Sequence, residues 1–330
     1  MRSNKRILSG MRPTGPLHLG NLHGALANWV EMQDEYECFF FIADWHALTS
    51  DYEDTSAITG YVKEMMIDWL SAGLDPDRST LFVQSLVPEH AELFMLLSMI
   101  TPVPWLERNP TYKDQIVQMN NKDLSTFGFL GYPVLQAADI IMYKAYGVPV
   151  GVDQIPHVEI TREIARRFNF LYGDVFPEPE AVLTKTSKIL GLDRRKMSKS
   201  YKNAIYLSDS PEEIQKKVSQ MITDPQRMRK SDPGNPDICN VFEFHKIYSE
   251  QSVWEEIDPQ CRQAKIGCVE CKKIMAKNLI QAMQPLHERR THFLSKPQLV
   301  EEMIQSGSAN AREVAKRTMD EVRAAIKIRD

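Results

Sequence analysis

The sequence predicts an α/β fold with a doubly wound parallel sheet, followed by an all-helical C-terminal domain. Short strand patterns alternate with helical patterns along the first half of the chain, which is typical of a parallel sheet covered by helices. After Tyr206 the strand patterns nearly vanish. The length of 330 residues also exceeds what one hydrophobic core usually organises. We therefore predict two domains, over residues 1–205 and 206–330.

The elements of the first domain are predicted in a regular order. A strand at 6–9 leads through a turn rich in glycine and proline to a helix over 20–35. Further strands are predicted at 38–43, 80–84 and 148–151, and further helices at 55–71, from 88 onward, at 132–146 and at 153–168. In the second domain, helices are predicted from 211 onward, at 272–291 and at 309–326.

Composition and charge narrow the class of protein. With 43% hydrophobic and 25% charged residues, the chain is typical of a soluble globular protein. No apolar run is long enough to cross a bilayer, and no secretory signal is visible, so we expect a cytoplasmic protein. The net charge of −4 argues against a uniformly basic nucleic-acid coat. Residues 184–230, however, hold twelve basic and five acidic side chains, which would form a local basic face.

The turn after the first strand has the residues of an anion site. Ligands bind beyond the carboxyl ends of the strands in a parallel sheet, and this turn lies there. Gly10, Gly15 and Gly20 allow the backbone to approach a ligand closely, and the helix that follows offers free N–H groups to a phosphate or carboxylate. His18 and Asn21, at the start of that helix, could donate hydrogen bonds to a phosphate whose charge rises during reaction.

A second candidate for phosphate chemistry lies in the basic stretch. Lys196 and Lys199 are three residues apart and follow Arg194 and Arg195. Compact ammonium groups on flexible stems suit a departing pyrophosphate, because they can follow a moving anion and neutralise it. A lysine-serine run taken alone is more often a solvated loop.

These two segments together resemble a known family. His18-Leu19-Gly20-Asn21 resembles the His-Ile-Gly-His signature of class I aminoacyl-tRNA synthetases, and Lys-Met-Ser-Lys-Ser at 196–200 is identical to their second signature. The segments 9–15, 44–49, 136–140 and 151–154 resemble those of the bacterial tryptophan-specific branch. The resemblance runs from about residue 6 to 326 in family order and spacing, and it implies a Rossmann-like catalytic domain with a helical anticodon-binding domain.

The resemblance implies a two-step ligase that uses ATP with Mg²⁺. Tryptophan and ATP would form tryptophanyl-adenylate and pyrophosphate, and the 3′ end of tRNA(Trp) would then attack. The catalytic residues that it implies are His18, Asn21, Lys113, Lys196 and Lys199. The ATP-binding residues that it implies are Arg12, Pro13, Thr14, Gly20, Asn21, Gly151, Val152, Asp153, Ile189, Lys196, Met197, Ser198, Lys199 and Ser200. Val152 stands where many relatives carry glutamate, which leaves a carboxylate role at that position open.

Selection of tryptophan needs apolar walls and one acceptor for the indole N–H. We expect Asp139 to be that acceptor, because Ala137 and Ala138 before it leave room for a bicyclic ring. The alternative is an ion-paired carboxylate on a helix face. The resemblance further assigns Tyr132 and Gln154 to the amino and carboxylate groups of the substrate. The expected pocket walls are Leu8, Gly10, His46, Val148 and Val150.

Four of the five cysteines are clustered in sequence. Cys239, Cys261, Cys268 and Cys271 have the number and type of ligands of either a zinc ion or a [4Fe–4S] cluster. The chain resembles a subset of bacterial tryptophanyl-tRNA synthetases that carry an iron–sulfur cluster in the anticodon-binding domain, so we expect the cluster, with zinc as the alternative. Cys38 is separate and is expected in the core.

RNA contacts and assembly are the remaining expectations. The candidates for contacts with the RNA backbone are Lys216, Lys217, Arg227, Arg229 and Lys230. The resemblance implies a homodimer with its interface around 88–130, where the apolar run 93–100 is followed by Pro102, Pro104 and Trp105. Two alternative functions remain open, a tyrosine-specific relative and a non-catalytic RNA-binding or regulatory paralogue.

Overall fold

The structure is a computed structural model, and it describes residues 5–110, 112–113, 123–184 and 189–328. Its centre is a five-stranded sheet in the order β3-β2-β1-β4-β5, and every neighbouring pair of strands is parallel. The strands are β1 (Arg6–Met11), β2 (Glu37–Ile42), β3 (Ser79–Val83), β4 (Gly147–Val150) and β5 (Glu180–Leu183). This architecture confirms the predicted α/β class, and it brings the carboxyl ends of all five strands to one edge of the sheet.

Helices connect and follow these strands. Those before β4 are α1 (Leu19–Asn21), α2 (Ala27–Met32), α3 (Asp44–Asp51), α4 (Ile58–Ala72), α5 (Glu89–Ser98), α6 (Val103–Glu107) and α7 (Phe127–Met142), with a π-helical turn at Leu22–Leu26 and a 3₁₀ turn at Gln84–Leu86. Those after β4 are α8 (Ile155–Tyr172), α9 (Pro211–Gln220), α10 (Asn240–Tyr248), α11 (Gln251–Arg262), α12 (Cys268–Leu294) and α13 (Pro297–Ile326), with 3₁₀ turns at Val152–Gln154 and Pro236–Ile238. No helix in the described ranges is long and apolar enough to span a membrane.

Several elements differ from their predicted bounds; the helix expected over 309–326, for example, begins at Pro297, and helices α10 and α11 were not predicted. The helix expected over 20–35 is interrupted by the π-helical turn and ends at Met32. The helix expected over 132–146 begins earlier, where the Thr126 side chain caps α7 by accepting from the backbone N–H of Phe129, and it ends at Met142. Strand β5 was not predicted, because its apolar run of three residues is too short to be distinguished from a loop.

Strand β2 shows why the apolar pattern predicted the sheet well. Five of its six residues are buried, as expected for a strand covered on both faces. On one side Phe40 stacks on Trp29, with 4.6 Å between ring centroids, and Trp29 meets Trp69 edge to face. Cys38 lies in the same strand and is buried, which confirms its expected place in the core.

The chain divides into two compact units that do not coincide with the predicted domains. Unit 1 contains residues 1–15, 28–185 and 295–330, and unit 2 contains residues 16–27 and 186–294. The C-terminal helix α13 therefore belongs to the sheet unit, although its sequence pattern is simply helical. Residues 16–27, expected in the catalytic domain, group instead with the helices of the other unit.

Unit 2 is built mainly on the long helix α12. Helices α9 and α10 both pack on α12, and its buried side chains include Met275, Leu279 and Met283. Helix α9 begins with a capping box, in which Ser210 and Glu213 satisfy each other's backbone N–H groups. The helical character of this part of the chain confirms the prediction from sequence.

Helix α13 covers β3, which is an edge strand of the sheet. Gly307 lies so close to β3 that a Cβ atom at this position would be 1.8 Å from the carbonyl oxygen of Leu81. The backbone N–H of Val83 donates to the hydroxyl of Ser308 at 3.3 Å. Arg312 and Arg323 of α13 form ion pairs with Glu89 and Glu92 of α5. The edge strand is therefore protected by a helix, a common way to prevent edge-to-edge association.

We expect Gly307→Ala to destabilise the protein, because α13 must move away from β3 to admit a methyl group. The free energy of unfolding should fall by about 1–3 kcal/mol, the usual cost of overpacking. Gly60→Ala is the matched control. Gly60 is also helical but has no atoms within 4 Å of its ideal Cβ, so alanine should preserve or raise stability there. Equal stability of the two variants in urea unfolding would contradict the proposed close packing.

Candidate active site

The His18 segment forms the start of α1 in unit 2. His18 is the N-cap residue, and its ring Nδ1 accepts a hydrogen bond from the backbone N–H of Asn21 at 3.3 Å. The side-chain oxygen of Asn21 accepts in return from the backbone N–H of His18 at 3.0 Å. Because Nδ1 is an acceptor, the proton of the neutral ring lies on Nε2, which is left as a hydrogen-bond donor.

Backbone pairing joins this segment to the chain that follows the lysine signature. The N–H of Leu19 donates to Ile205 O at 3.0 Å, and the N–H of Leu207 donates to Leu17 O at 2.9 Å. His18 is thereby brought near both lysines. Burial, with Lys199 and then Lys196 nearby, lowers the pKa of His18 to about 4. The ring is consequently neutral at physiological pH, and it offers a hydrogen bond rather than a charge.

Gly20 is required by the position of the His18 ring. A Cβ atom at Gly20 would lie 2.9 Å from two atoms of that ring and 3.5 Å from the Cβ of Met197. Glycine at this position of the first signature therefore lets the histidine ring fold back over the helix.

The lysine segment is held by a residue that the sequence analysis missed. Asn203 is buried, and its side-chain oxygen accepts a hydrogen bond from the backbone N–H of Ser198 at 2.8 Å. Its side-chain nitrogen donates to Lys196 O at 3.2 Å and to Asp193 Oδ1 at 2.7 Å. Met197 is buried, whereas Lys196 is exposed and Lys199 half-buried. The loop is thus fixed by its backbone and Met197, which leaves the Lys196 side chain extended into solvent. An asparagine three residues after the signature was the available sequence signal.

Asp139 is the centre of a buried polar network in unit 1. It is fully buried on α7, and its Oδ1 accepts from His90 Nδ1 at 2.6 Å and from Gln84 Nε2 at 2.8 Å, while Oδ2 accepts from His46 Nε2 at 2.7 Å. Tyr143 donates to the other ring nitrogen of His90 at 2.7 Å. Burial opposes ionisation of Asp139, but the hydrogen bonds from His46 and His90 prevail and lower the pKa of its carboxyl.

The carboxylate retains capacity for one more donor. A carboxylate has about four acceptor positions, and three are filled by the protein, two on Oδ1 and one on Oδ2. The ion-paired carboxylate considered in the sequence analysis is therefore present, yet it does not exclude a role as acceptor for one ligand N–H. Gln84, which lies before α5, and His90, which lies in it, were missed because a single histidine or glutamine in an apolar region carries no distinctive pattern.

Two buried polar atoms near this network have no hydrogen-bond partner among the described residues. They are the hydroxyl oxygen of Tyr132 and the side-chain oxygen of Gln84. Burial raises the pKa of the Tyr132 phenol, so this hydroxyl stays protonated. Arg12 lies near enough to Tyr132 to affect its charge, and its guanidinium donates to Ser50 Oγ at 3.3 Å. An unsatisfied buried polar atom is costly in a protein without ligand, and a polar substrate would satisfy it.

The predicted pocket walls all lie in unit 1, where Leu8, His46, Val148 and Val150 are buried and Gly10 is exposed. Leu8 lies in β1, Val148 and Val150 in β4, and all three pack in one apolar cluster with Ala137 and Ala138. Gly10 passes directly under Phe41, since a Cβ there would lie 2.5 Å from the phenyl ring. The structure thus groups these residues with Asp139.

The remaining predicted residues are placed less distinctively. Gly151, Val152 and Gln154 follow the carboxyl end of β4 in unit 1; Val152 is 72% exposed, and the Asp153 side chain lies outside the described residues. Lys113 is exposed and adjoins undescribed residues. The other predicted ATP residues comprise half-buried Thr14 and buried Pro13 after β1, buried Ile189, half-buried Ser198 and exposed Ser200.

The four clustered cysteines lie together in unit 2. Burial first, and then the other three thiols, raise the pKa of Cys271 to about 12, while Arg227 opposes this effect. Arg227 Nη1 lies 3.7 Å from the sulfur of Cys261 and 3.9 Å from that of Cys268. Within the described ranges no group of three or more His, Cys, Asp or Glu side chains could hold a metal ion.

Two of the basic residues expected to contact RNA form hydrogen bonds within unit 2. Lys217 donates to both oxygens of the buried Asp209, at 2.8 and 2.5 Å, and it lies over the Tyr206 ring. Arg227 donates to the carbonyls of Lys230 and Ile266 in addition to its thiol contacts. Lys216, Arg229 and Lys230 are exposed. Lys217 and Arg227 therefore also stabilise unit 2 itself, and their contact with the RNA backbone stays a prediction.

A parallel sheet with these two signature segments defines a class I tRNA synthetase, and the family comparison agrees. The model of the family "tRNA synthetases class I (W and Y)" matches residues 2–284, and the chain belongs to this family. The chain is 53% identical over 327 residues to a tryptophan–tRNA ligase of Thermotoga maritima, covering 98% of this chain and 99% of the relative. It is 47% identical over 393 residues to a tryptophan–tRNA ligase of Aquifex aeolicus, covering 98% and 100%.

Solved structures give the same result. The crystal structure of tryptophanyl-tRNA synthetase from Campylobacter jejuni complexed with ADP and tryptophan superimposes with a TM-score of 0.91 and 34% identity, covering 98% of this chain and 100% of that one. A tyrosyl-tRNA synthetase from Archaeoglobus fulgidus has a TM-score of 0.65 at 19% identity, which shows a shared fold only.

His18 should make stability depend on pH below about 6.5. Its pKa in the folded protein is lowered to about 4, so the unfolded chain binds the proton more tightly. The stabilising effect of the neutral ring is full above the unfolded pKa and is lost as the pH falls toward 4. His18→Asn keeps a capping oxygen but cannot titrate. Between pH 8 and 5 the wild type should lose about 2 kcal/mol more than this variant in urea unfolding. Parallel pH profiles would contradict the lowered pKa.

Proposed function

We infer that the chain is a tryptophan–tRNA ligase, which activates L-tryptophan with ATP and transfers it to the 3′ end of tRNA(Trp). The structural observation that carries this assignment is the buried carboxylate of Asp139, which has one unfilled acceptor position among apolar residues. The full-length similarity to bacterial ligases of this name supports the same function.

Asp139 would select tryptophan by accepting the indole N–H. A buried site that must hydrogen-bond its substrate rejects analogues that lack the donor, because the carboxylate acceptor would stay unpaired. The phenol of Tyr132 is buried and lacks a protein partner among the described residues, which suits a contact with the substrate's amino or carboxylate group. Gln154 is proposed to share this role. Leu8, Val148 and Val150 would contact the ring, with Gly10 and His46 beside it.

The activation step requires positioning and charge stabilisation. A carboxylate oxygen of tryptophan attacks the α-phosphorus of ATP, and the bond to pyrophosphate breaks, so no covalent enzyme intermediate forms. The neutral His18 donates from Nε2 to a phosphate oxygen, with Asn21 beside it, while Lys196, Lys199 and Lys113 neutralise the departing pyrophosphate. Mg²⁺ bound to ATP would supply further charge neutralisation on the phosphates. In the second step the terminal ribose hydroxyl of tRNA attacks the carbonyl carbon, and AMP leaves.

ATP itself is proposed to lie against the turn after β1 and the turn after β4. Arg12 and Thr14 belong to the first turn and Gly151 to the second. Pro13, Gly20, Val152, Asp153, Ile189, Met197, Ser198 and Ser200 complete the proposed set. The reaction and its tRNA substrate place the enzyme in the cytoplasm.

A [4Fe–4S] cluster is proposed for Cys239, Cys261, Cys268 and Cys271. Burial and then at least one neighbouring thiol raise the pKa values of Cys239, Cys261 and Cys271, so the four sulfurs lie near one another, and Arg227 provides a positive charge next to two of them. The cluster would stabilise the helical unit and shape its RNA-facing surface, and zinc is the alternative.

A homodimer is also proposed, with the partner bound against α5 and the segment after it. Leu93 and Leu97 are buried within the monomer, whereas Met95, Met99 and Val103 are 50%, 71% and 49% exposed. This exposed apolar surface suits a second copy of the chain. For tRNA, the exposed Lys216, Arg229 and Lys230 are proposed to contact the RNA backbone.

Pyrophosphate exchange into ATP, measured with each amino acid separately, tests the function. We expect exchange with tryptophan alone; exchange with tyrosine would support the tyrosine-specific alternative, and none would support a non-catalytic paralogue.

In Asp139→Asn, an amide NH₂ must face one of the N–H donors, so KM for tryptophan should rise about 100-fold or more, while KM for ATP changes far less. Circular dichroism and thermal unfolding control for folding. A folded variant that still discriminates fully against tyrosine and phenylalanine would refute the role of Asp139.

Anaerobic purification tests the four-cysteine site. We expect a brown protein with visible absorption and about four iron and four sulfide per chain. Cys268→Ser should lose this absorption, whereas Cys38→Ser, the matched control in the core of the sheet unit, should retain it. A colourless wild type with one zinc per chain would contradict the cluster and support zinc.

A further inference from the structure

Helix α10 contacts the chain next to both signature segments of unit 2. It is only nine residues long, yet polar contacts join its N-terminal end to Gly191 and Arg194, before the lysine signature, and its last residue to His23, just after the histidine signature. These contacts are additional to the backbone pairing between residues 17–19 and 205–207.

The N-terminal end of α10 contacts the lysine loop. Asn240, the first residue of the helix, is fully buried, and its Nδ2 donates to Gly191 O at 2.8 Å. Arg194 Nη1 donates to Ile238 O, just before the helix. Gly191 and Arg194 belong to the same turn, since the N–H of Arg194 donates to Gly191 O and the N–H of Gly191 donates to Arg195 O. The hydrogen bonds of Asn240 and Arg194 therefore hold the turn before the lysine signature against the N-terminal end of α10.

The opposite end of α10 contacts the histidine segment. Tyr248, the last residue of the helix, lies with its hydroxyl 2.7 Å from His23 Nε2, and the two rings meet edge to face. His23 is in the π-helical turn that directly continues α1. Because a helix of two and a half turns is rigid along its axis, it fixes the separation between its two contacts.

The same helix is anchored in the four-cysteine site. Cys239 is its N-cap residue and immediately precedes Asn240. In the middle of the helix, His245 Nε2 lies 3.3 Å from Cys271 O and 3.5 Å from the Cys271 sulfur. A change at Cys239 therefore acts directly on Asn240, the residue that contacts the lysine loop.

We propose that α10 holds the lysine loop in position for ATP, that Asn240 is the positioning residue, and that Cys239 transmits the state of the four-cysteine site to this contact. The inference rests on the proposed function in one respect, which is that Lys196 and Lys199 bind the phosphates of ATP. Asn240 acts through the loop backbone and does not contact substrate. Its side-chain oxygen has no hydrogen-bond partner within the part of the chain that the structure describes, so the amide is held there by its donor.

Asn240→Asp is the decisive variant, because aspartate has the same shape but its carboxylate cannot donate to Gly191 O. With the purified full-length enzyme, we expect KM for ATP in tryptophan-dependent pyrophosphate exchange to rise about threefold to tenfold, as for the loss of one buried hydrogen bond. KM for tryptophan should change much less. Hydrogen exchange of the backbone amides of residues 189–203 should be faster. Glu243→Gln, at a half-buried position of the same helix whose carboxylate pairs only with Lys246 among the described ion pairs, is the matched control and should change neither measurement.

Cys239→Ser tests the link to the cysteine site by amide exchange, which does not require activity. It should accelerate exchange at 189–203, and in combination with Asn240→Asp the effects should be less than additive. The positioning role would be overturned if amide exchange at 189–203 were unchanged in Asn240→Asp. It would also be overturned if the KM values for ATP and tryptophan rose equally while the stability of this variant fell. Unchanged exchange in Cys239→Ser would overturn the link. A wild type that shows no tryptophan-dependent pyrophosphate exchange would refute the proposed function instead. Hydrogen exchange of the backbone amides would still decide the role of Asn240.

Discussion

The sheet unit depends on the need to compensate one buried negative charge. A carboxylate without solvent is stable only when donors surround it, and Asp139 obtains its donors from three other elements. His46 is on α3, Gln84 is in the turn after β3, and His90 is on α5. These elements must therefore converge on α7 in one arrangement, at the carboxyl edge of the sheet where a parallel fold binds ligands. The residue that would recognise the substrate thus also fixes the shape of the site around it.

Much of this fold follows from sequence because burial and periodicity coincide in its strongest elements. Strand β2 is buried on both faces, so its apolar run identifies it directly. The pattern of apolar residues does not predict the position of an element that is placed by contacts with distant parts of the chain. Helix α13 has an ordinary helical pattern, and its place in the sheet unit comes from Gly307 against β3 and from the ion pairs of Arg312 and Arg323. Strand β5 has half-exposed residues and exists because β4 offers an edge to pair with.

The candidate site was predictable to the extent that its residues lie in contiguous signatures. His18, Lys196 and Lys199 fall in such segments, and the structure brings the histidine close to both lysines. The supporting residues are scattered, and no spacing rule connects Gln84 or Asn203 to the groups they hold. Lys217 shows what a basic run in the sequence leaves out, since its ammonium group pairs with the buried Asp209 inside the unit. Counting charges along a chain does not reveal which of them are already paired.

His18 is neutral because its ring is buried and because two lysines lie near it. Burial first, and then the charges of Lys199 and Lys196, lower its pKa to about 4, so at neutral pH the ring keeps a single N–H donor. A neutral donor binds a phosphate oxygen without adding to the repulsion among the cations when ATP is absent. It also cannot donate its last proton to the leaving pyrophosphate, because a neutral imidazole is far too weak an acid. In the proposed reaction the neutral ring of His18 would therefore contribute a hydrogen bond, and the lysines would contribute charge neutralisation.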